Sequence, residues 1–538
     1  MAENAVRFLR EPRLAPNPNP AAPLAAVLSL RCDGPVNTTV TIRRGAEVVN
    51  TLRYGPDADG ESLPVVGFVA GCDHQVAICC SDPEGGRAPA CAELSLAAPA
   101  LPDEPTVFPR IAARRNGRLP MEPGFTLFNP RRRMRPGALS PQETKAFNQG
   151  FGLLTLINAA GDVVWWYRTD SRINHFCVLR NGNLLYLTAD SRAVEIDLLG
   201  NPVARWVAAR RPEGPAEGHI PVDSLTFHHS IDELPNGDFL VLGSERRLIR
   251  DYYSSEYDAD APRQDQWVMG DEVLVFTRQG EVTWRWKAYD HMDPWRIGYQ
   301  TFARYWKIRG FPDTIDWSHA NKTLYWPKRD QFVVNFRLLS AIVGISRATG
   351  QIDWIAGEPS GWDDALRPKL LELSEGSRWF WHQHSPTFTP DGRLLLFDNG
   401  NYRAHAFCPP VPPIETHSRV LLYDLDIENR RLTEVWNSDA SDDPPVVSFA
   451  MGSTQYLPTS GHCLAGYGFL IAPEALPTTG WDAMNGAPVW SRVREMTMDT
   501  PSQVVWETTL NAPSSLPNLG WTSFGALRVP SWPAGDGS

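Results

Sequence analysis

The feature that most constrains this chain is a short unit, strand then turn then strand ending in tryptophan, that recurs six times beyond residue 150. It reads INAAGDVVWWY (157–167), DLLGNPVARW (197–206), TRQGEVTWRW (277–286) and SRATGQIDWI (346–355), with looser copies LDIENRRLTEVW (425–436) and SQVVWETTL (502–510). The anchors are Trp165, Trp206, Trp284, Trp354, Trp436 and Trp506. A second unit alternates with the first, an Asn-Gly or Asp-Gly turn running into an apolar strand: LRNGNLLYL (179–187), LPNGDFLVLG (234–243), TPDGRLLLFDNG (389–400) and the looser LPTSGHCLAGYG (457–468). Such dipeptides favour the positive φ angles of tight hairpin turns. Two hairpins per repeat make a four-stranded blade, and six blades that close radially make a β-propeller, which leaves only short edges. About 40 residues separate the first two anchors, one blade length; later spacings of roughly 70 to 80 imply insertions. The tryptophans are expected to pack between neighbouring blades.

Residues 1–105 read as a separate module. Alternating stretches AAVLSLRC, TTVTIRR and HQVAICC, divided by turn residues, predict a β-sandwich. The Pro-rich AAPALPDEPTVFP (97–109) reads as a linker, and PRRRMRPG (130–137) as a basic, solvated turn. The expected architecture is all-β: an N-terminal β-sandwich (1–105) and a six-bladed β-propeller (106–538).

The formal net charge of −11 excludes the basic footprint of a nucleic-acid binder but not a local cationic site for anions. No apolar run nears the 18 residues of a membrane helix, so no membrane association is expected. Arg7, Arg10 and Arg13 precede an apolar run from Ala21 to Leu30, yet Asn-Pro-Asn-Pro (17–20) interrupts it, and the alternation beyond Pro23 reads as a first strand instead of a leader. Of eight cysteines, Cys32, Cys72, Cys79, Cys80 and Cys91 lie in the first hundred residues, with no CxxC spacing. They are expected as buried free thiols, which favours a reducing, cytoplasmic setting.

Three histidines stand at matching points of different repeats. His229 lies six residues before Pro235 of one turn, His384 six before Pro390 of another, and His319 precedes a strand with similar offset in DWSHANKTLYW (316–326). Equivalent positions point toward one axis. Asn321, two residues beyond His319, shares its face if the segment is extended, and Arg337 ends the apolar alternation of QFVVNFR. His228 is expected to point away from His229.

In order along the chain, HHSIDELPNGD, DWSHANKTLYW, NFR, WHQHSPTFTPDGRLLLFDNG and MGSTQYLP resemble the motifs of bacterial arylsulfate sulfotransferases. NPNPAAPLAAVLSL is similar to the start of that family's N-terminal domain, MEPGFTLFNP to its lead into the propeller, and RVPSW to its closing strand. The resemblance implies ping-pong transfer of a sulfuryl group from an aryl sulfate donor to a phenolic acceptor, without nucleotide, metal or other cofactor. It implies that His384 is the nucleophile and is transiently sulfated, that His229, His319 and Arg337 complete the catalytic set, and that Asn321 and Ser453 bind substrate. A neutral imidazole is a competent nucleophile near pH 7, and fixed donors stabilise charge on the non-bridging oxygens of a loose transition state. The acceptor pocket should be aromatic; Phe227, Phe336, Phe380 and Trp381 are neighbours in sequence. Members often carry Asp after two of these histidines, where this chain has Ser230 and Ser385. Members are also often periplasmic, which leaves that compartment as the alternative. Two other classes stay open: a metal-dependent propeller lyase or hydrolase using the histidines, and a non-catalytic propeller that binds partners. Oligomeric state is open too, a homodimer included.

Overall fold

Each of the six tryptophan units forms an antiparallel outer hairpin of its own sheet. In the computed structural model, which describes residues 5–56, 60, 62–478 and 480–532, the chain is mostly β-strand. The first of the six sheets joins Leu519–Val529, Phe125–Met134, Gly152–Ile157 and Val163–Thr169. The second starts at Ile173–Val178, the third at His228–Glu233, the fourth at Ala320–Trp326, the fifth at His384–Phe388 and the sixth at Ser453–Leu457. These starting strands, with Leu519–Val529, contact one another in that order, and Leu519–Val529 contacts both Ser453–Leu457 and Ile173–Val178.

The repeat carries a common irregularity. In all six outer hairpins the ladder slips by one residue, just before the turn at Leu156/Ile157, Glu195/Ile196, Val275/Phe276, Gly344/Ile345 and Glu495/Met496 and farther from it at Leu422/Tyr423. Such a bulge sharpens the local twist. The turns of the four clear copies place glycine at positive φ, and the looser fifth copy puts Arg430 there at 53°.

The tryptophans connect the sheets. The indole N–H of Trp165 donates to the Leu198 carbonyl (3.0 Å), that of Trp206 to Arg278 (2.9 Å), that of Trp284 to Arg347 (3.0 Å), that of Trp436 to Asp499 (2.9 Å) and that of Trp506 to Ala159 (2.9 Å). Each of these five bonds crosses from one sheet to the outer turn of the next, and the last returns from the sixth sheet to the first. Trp354 is the exception, bonding Gln331 Oε1 within its own sheet. Across that boundary Trp326 stacks on Phe388 instead, with ring centroids 4.1 Å apart.

The N-terminal residues form two further antiparallel sheets. One joins Phe8–Pro16, Ala25–Cys32 and Leu63–Val66; the other joins Glu47–Tyr54, Asn37–Arg44, Asp73–Ser81 and Ala90–Ala97. Their inward residues, among them Leu28, Val40, Ile42, Val76 and Ile78, share one buried cluster with Leu127, Trp165, Trp506 and Trp532 of the larger body. Polar bonds cross the same junction: Asn17 and Asn19 donate to the Leu199 carbonyl, and Asn50 to that of Trp532.

Three expectations change. The 97–109 segment is docked, with Phe108 buried edge-on against Trp166 and the Pro105 carbonyl accepting from Trp521 Nε1. The 130–137 run is a solvated turn only at 135–137, because Arg131, Arg132 and Arg133 belong to the strand Phe125–Met134 and bond to carbonyls of Ile173, Phe147 and Asn485. Cys79 and Cys91 face each other across two adjacent strands and are disulfide-bonded, whereas the other six cysteines are free thiols. Among the described residues no helix is long and apolar enough to cross a membrane. Pro141–Gln149 is a short α-helix started by a Ser140/Glu143 capping box.

Replacing Trp506 by Phe keeps a ring at a fully buried site but strands the Ala159 carbonyl. The expected cost is about 1–3 kcal/mol, read as a lowered thermal midpoint.

Candidate functional site

Four of the starting strands and Leu519–Val529 carry a second set of bulges, at Ile173/His175, His228/Ile231, Ala320/Lys322, His384/Thr387 and Ser523/Ala526. Residues at these bulges take left-handed backbone, with φ of 53° at His229, 48° at His319 and 45° at Ser385. For non-glycine residues that geometry costs on the order of 1–2 kcal/mol and persists only where the surroundings impose it. It breaks strict alternation and re-aims side chains. His228 therefore does not point away from His229: their Nδ1 atoms are 2.9 Å apart.

His229 and His319 lie ring to ring, with centroids 4.8 Å apart. His384 is buried within electrostatic reach of Arg337 and His319. Burial first, then the Arg337 charge, holds its imidazole well below the ordinary value, so it is neutral through the mildly acidic range. His229 is held low in the same direction, by burial and then by His319. Arg337 is anchored through its backbone N–H to the His319 carbonyl (3.0 Å) and through Nη2 to Gln300 Oε1 (2.5 Å), and burial pushes it down to about 10. Its Nε is buried without a partner.

The tautomer of His384 follows from its neighbour. Asn399 Nδ2 donates to the carbonyls of Ser448 (2.7 Å) and Met451 (2.9 Å). Its Oδ1 is therefore the atom that meets His384 Nδ1 at 2.7 Å, and a carboxamide oxygen can only accept. His384 thus carries its proton on Nδ1 and its lone pair on Nε2. His319 Nδ1 pairs with the Asp316 carboxylate, whose other oxygen accepts from Trp306 Nε1 (2.9 Å). Tyr305 stacks on His229, with centroids 5.4 Å apart at 20°, and its hydroxyl lies 3.3 Å from His229 Nε2.

Of the six residues singled out in the sequence, His229, His319, His384 and Arg337 come together. Asn321 is committed elsewhere: Nδ2 donates to the Gln383 carbonyl (3.0 Å) and Oδ1 accepts from Asn335 (2.5 Å). The bulge at Ala320/Lys322 removes the shared face with His319. The Ser453 hydroxyl accepts from the Ala526 N–H (3.0 Å) and braces two inner strands. Ser230 and Ser385 do likewise, donating to the carbonyls of Thr323 (3.2 Å) and Gly452 (2.9 Å). Phe227, Phe336 and Phe380 are core residues and Trp381 packs on His405; the rings beside the histidines are Tyr305 and Phe524. Asn399 and Asp316 went unnoticed although FDNG and DWSH contain them, and Tyr305 lies in an insertion with no repeat signal. Among the described residues no group of three His, Cys, Asp or Glu side chains is arranged to hold a metal ion.

No curated protein matches this chain. Among solved structures, BamB from Moraxella catarrhalis is similar at 10% identity over 74% of this chain and 98% of that one, with a TM-score of 0.27. The lignostilbene dioxygenase of Pseudomonas brassicacearum is similar at 12% identity over 74% and 80%, with a TM-score of 0.30. Likeness at that level carries no functional argument. The Arylsulfotransferase (ASST) family model matches residues 118–512. That match takes in every histidine of the cluster together with Arg337, Asp316 and Asn399, and the chain belongs to the arylsulfotransferase (ASST) family.

Proposed function

We propose that the six sheets are blades of a closed propeller, with residues 1–105 a β-sandwich packed on it, and that the chain moves a sulfuryl group from an aryl sulfate to a phenol through a sulfohistidine at His384. The closed ring is supported by the Trp506 bond back to the first sheet and by the order in which the inner strands touch. The chemistry is carried by one observation, the Asn399 contact that leaves the His384 Nε2 lone pair free in a buried, neutral ring. In the first half-reaction that lone pair forms the N–S bond as the aryl oxygen–sulfur bond breaks. His319 enters this step with a proton on each ring nitrogen, Nδ1–H held by Asp316; the leaving phenolate takes the Nε2 proton, and Arg337 faces the charge on the non-bridging oxygens. In the second half-reaction the acceptor hydroxyl returns its proton to His319 and its oxygen displaces His384 from sulfur. His229, bonded to Tyr305, packs on His319 and holds it in place. Asn321 and Ser453 hold the backbone beside the site instead of touching substrate.

Brief mixing with 4-nitrophenyl sulfate should add one SO3 unit to the intact mass of the wild type and none to His384→Ala, and phenol should discharge it. A folded wild type that gains no mass and releases no phenolate with any aryl sulfate would overturn the reading.

Replacing Asn399 by Ala frees the ring to take the other tautomer. The expected loss in loading rate is at least about tenfold, equivalent to roughly 1.4 kcal/mol at the barrier, with the fold checked by circular dichroism.

The depressed His384 value has a sign that loading kinetics can read. A free imidazole protonates as pH falls through about 6.5, so an exposed nucleophile would lose rate there. The folded value lies lower, and single-turnover loading should not lose rate as pH falls through 6.5 and should decline only at more acidic pH. An acid limb centred at 6.5 would contradict the buried, neutral nucleophile.

A further inference from the structure

Three arginines beside the histidines have no carboxylate partner among the described residues. Arg131 donates through Nε and Nη2 to the carbonyls of Ile173 (2.9 Å) and Asn174 (2.5 Å), while Nη1 reaches only the Met451 sulfur (3.4 Å). Its guanidinium lies 4.7 Å from the centroid of Phe524, whose ring is 5.8 Å from His229. The Arg172 side chain makes one hydrogen bond, from Nε to Asn174 Oδ1 (3.2 Å). Arg309 sits 3.6 Å over the Tyr305 ring and donates through Nη1 to the Tyr305 carbonyl (2.7 Å); its Nε is buried without a partner. Arg172 is pushed down to about 9 by burial and then by the Arg309 charge.

Four more deeply buried arginines are given a carboxylate, Arg528 with Glu495 (3.2 Å) among them, whereas buried Arg296 is held by carbonyls and lies over the Trp362 ring. Arg419 pairs with Asp398 (3.0 Å), Arg492 with Asp442 (2.7 Å), and Arg494 with Asp442 and Glu507. Withdrawing a cation from water without a counter-charge is unfavourable. A cluster left uncompensated next to reactive histidines is explained when the counter-charge arrives with the ligand. An aryl sulfate brings one negative charge, and Arg337 already answers it. Three further cations remain: Arg309 across Tyr305 from His229, Arg131 across Phe524 from it, and Arg172 joined to Arg131 through Asn174.

We propose that the site takes phenols, free or sulfated, that carry a second anionic group such as a carboxylate on the far side of the ring from the reacting oxygen, and that Arg131, Arg172 and Arg309 bind that group. The inference rests on the reading of the site as a phenol sulfotransferase, and it gives a role to Arg131 of the basic run at 130–137, which the transfer chemistry leaves without one. Guanidinium pairs bind planar carboxylates through parallel hydrogen bonds, and Arg172 has both terminal nitrogens free for this.

The test compares 3-(4-hydroxyphenyl)propionate with its methyl ester, two ligands of nearly one shape that differ by one charge. Calorimetric Kd values for the wild-type protein should favour the acid at least about tenfold, with the margin shrinking as salt is raised. In Arg172→Gln and in Arg309→Gln the acid-to-ester ratio should fall toward one. Melting curves check the fold, and the less enclosed Arg309 keeps the test in force if the Arg172 variant does not fold. Equal wild-type affinities, or variants that weaken acid and ester alike, would overturn the proposal. So would a Kd for 4-nitrophenyl sulfate that rises in Arg172→Gln as much as the Kd for the acid does, since the cluster would then serve the transferred group itself. A protein that prefers the acid yet never loads from an aryl sulfate would retain the anion site and lose the sulfotransferase reading.

Discussion

A backbone carbonyl at the outer turn of a sheet cannot be satisfied by the ladder it ends, and here the neighbouring sheet supplies the donor. Five indole N–H groups make that bond, each from a tryptophan whose ring also fills the seam. The result couples apolar burial to a directional contact, so that adjacent sheets are fixed in angle as well as in distance. Everything at the inner ends inherits that geometry. Histidines on different sheets reach ring contact only because the sheets carrying them cannot slide or splay.

The bulges convert this framework into a site. In an unbroken strand His228 and His229 would face opposite sides, and a histidine on one sheet would have no reason to meet a histidine on the next. Left-handed backbone at His229 and His319 turns both rings toward each other. The surrounding hydrogen bonds then orient the rings: Asn399 fixes which nitrogen of His384 is free, and Asp316 fixes which nitrogen of His319 is turned away from the carboxylate. The positions where many relatives carry Asp are used differently here. Ser230 and Ser385 bond from one inner strand to the next, and a carboxamide arriving from the end of Leu394–Asp398 takes over the orienting role.

Much of the framework was legible in the sequence because it repeats. A turn followed by a strand with tryptophan, read six times and with glycine in four of the copies, located the outer hairpins, and matching offsets from the inner turns picked out His229 and His384. What escaped was whatever depends on a single position. The bulges leave no compositional trace, so the faces inferred for His228 and Asn321 from strict alternation were wrong. Arg131 sat in a run of four arginines that reads as solvated until the strand Phe125–Met134 is seen to pass beside the site. Tyr305 and Arg309 lie in an insertion between the third and fourth sheets, where no repeat guides the eye. Cys79 and Cys91 are twelve residues apart, and only the register between their strands shows that they meet.

The first sheet is assembled from both directions along the chain. Leu519–Val529 pairs with Phe125–Met134, and the Phe524 N–H donates to Asn129, 395 residues earlier. During synthesis the Phe125–Met134 edge therefore waits, with its backbone donors and acceptors exposed, until Leu519–Val529 has emerged. An open edge of that kind is a template for pairing with other strands. In this segment, three consecutive arginines and a proline keep the waiting edge poorly suited to such pairing, so residues that surround the finished site also guard the nascent chain before the site exists.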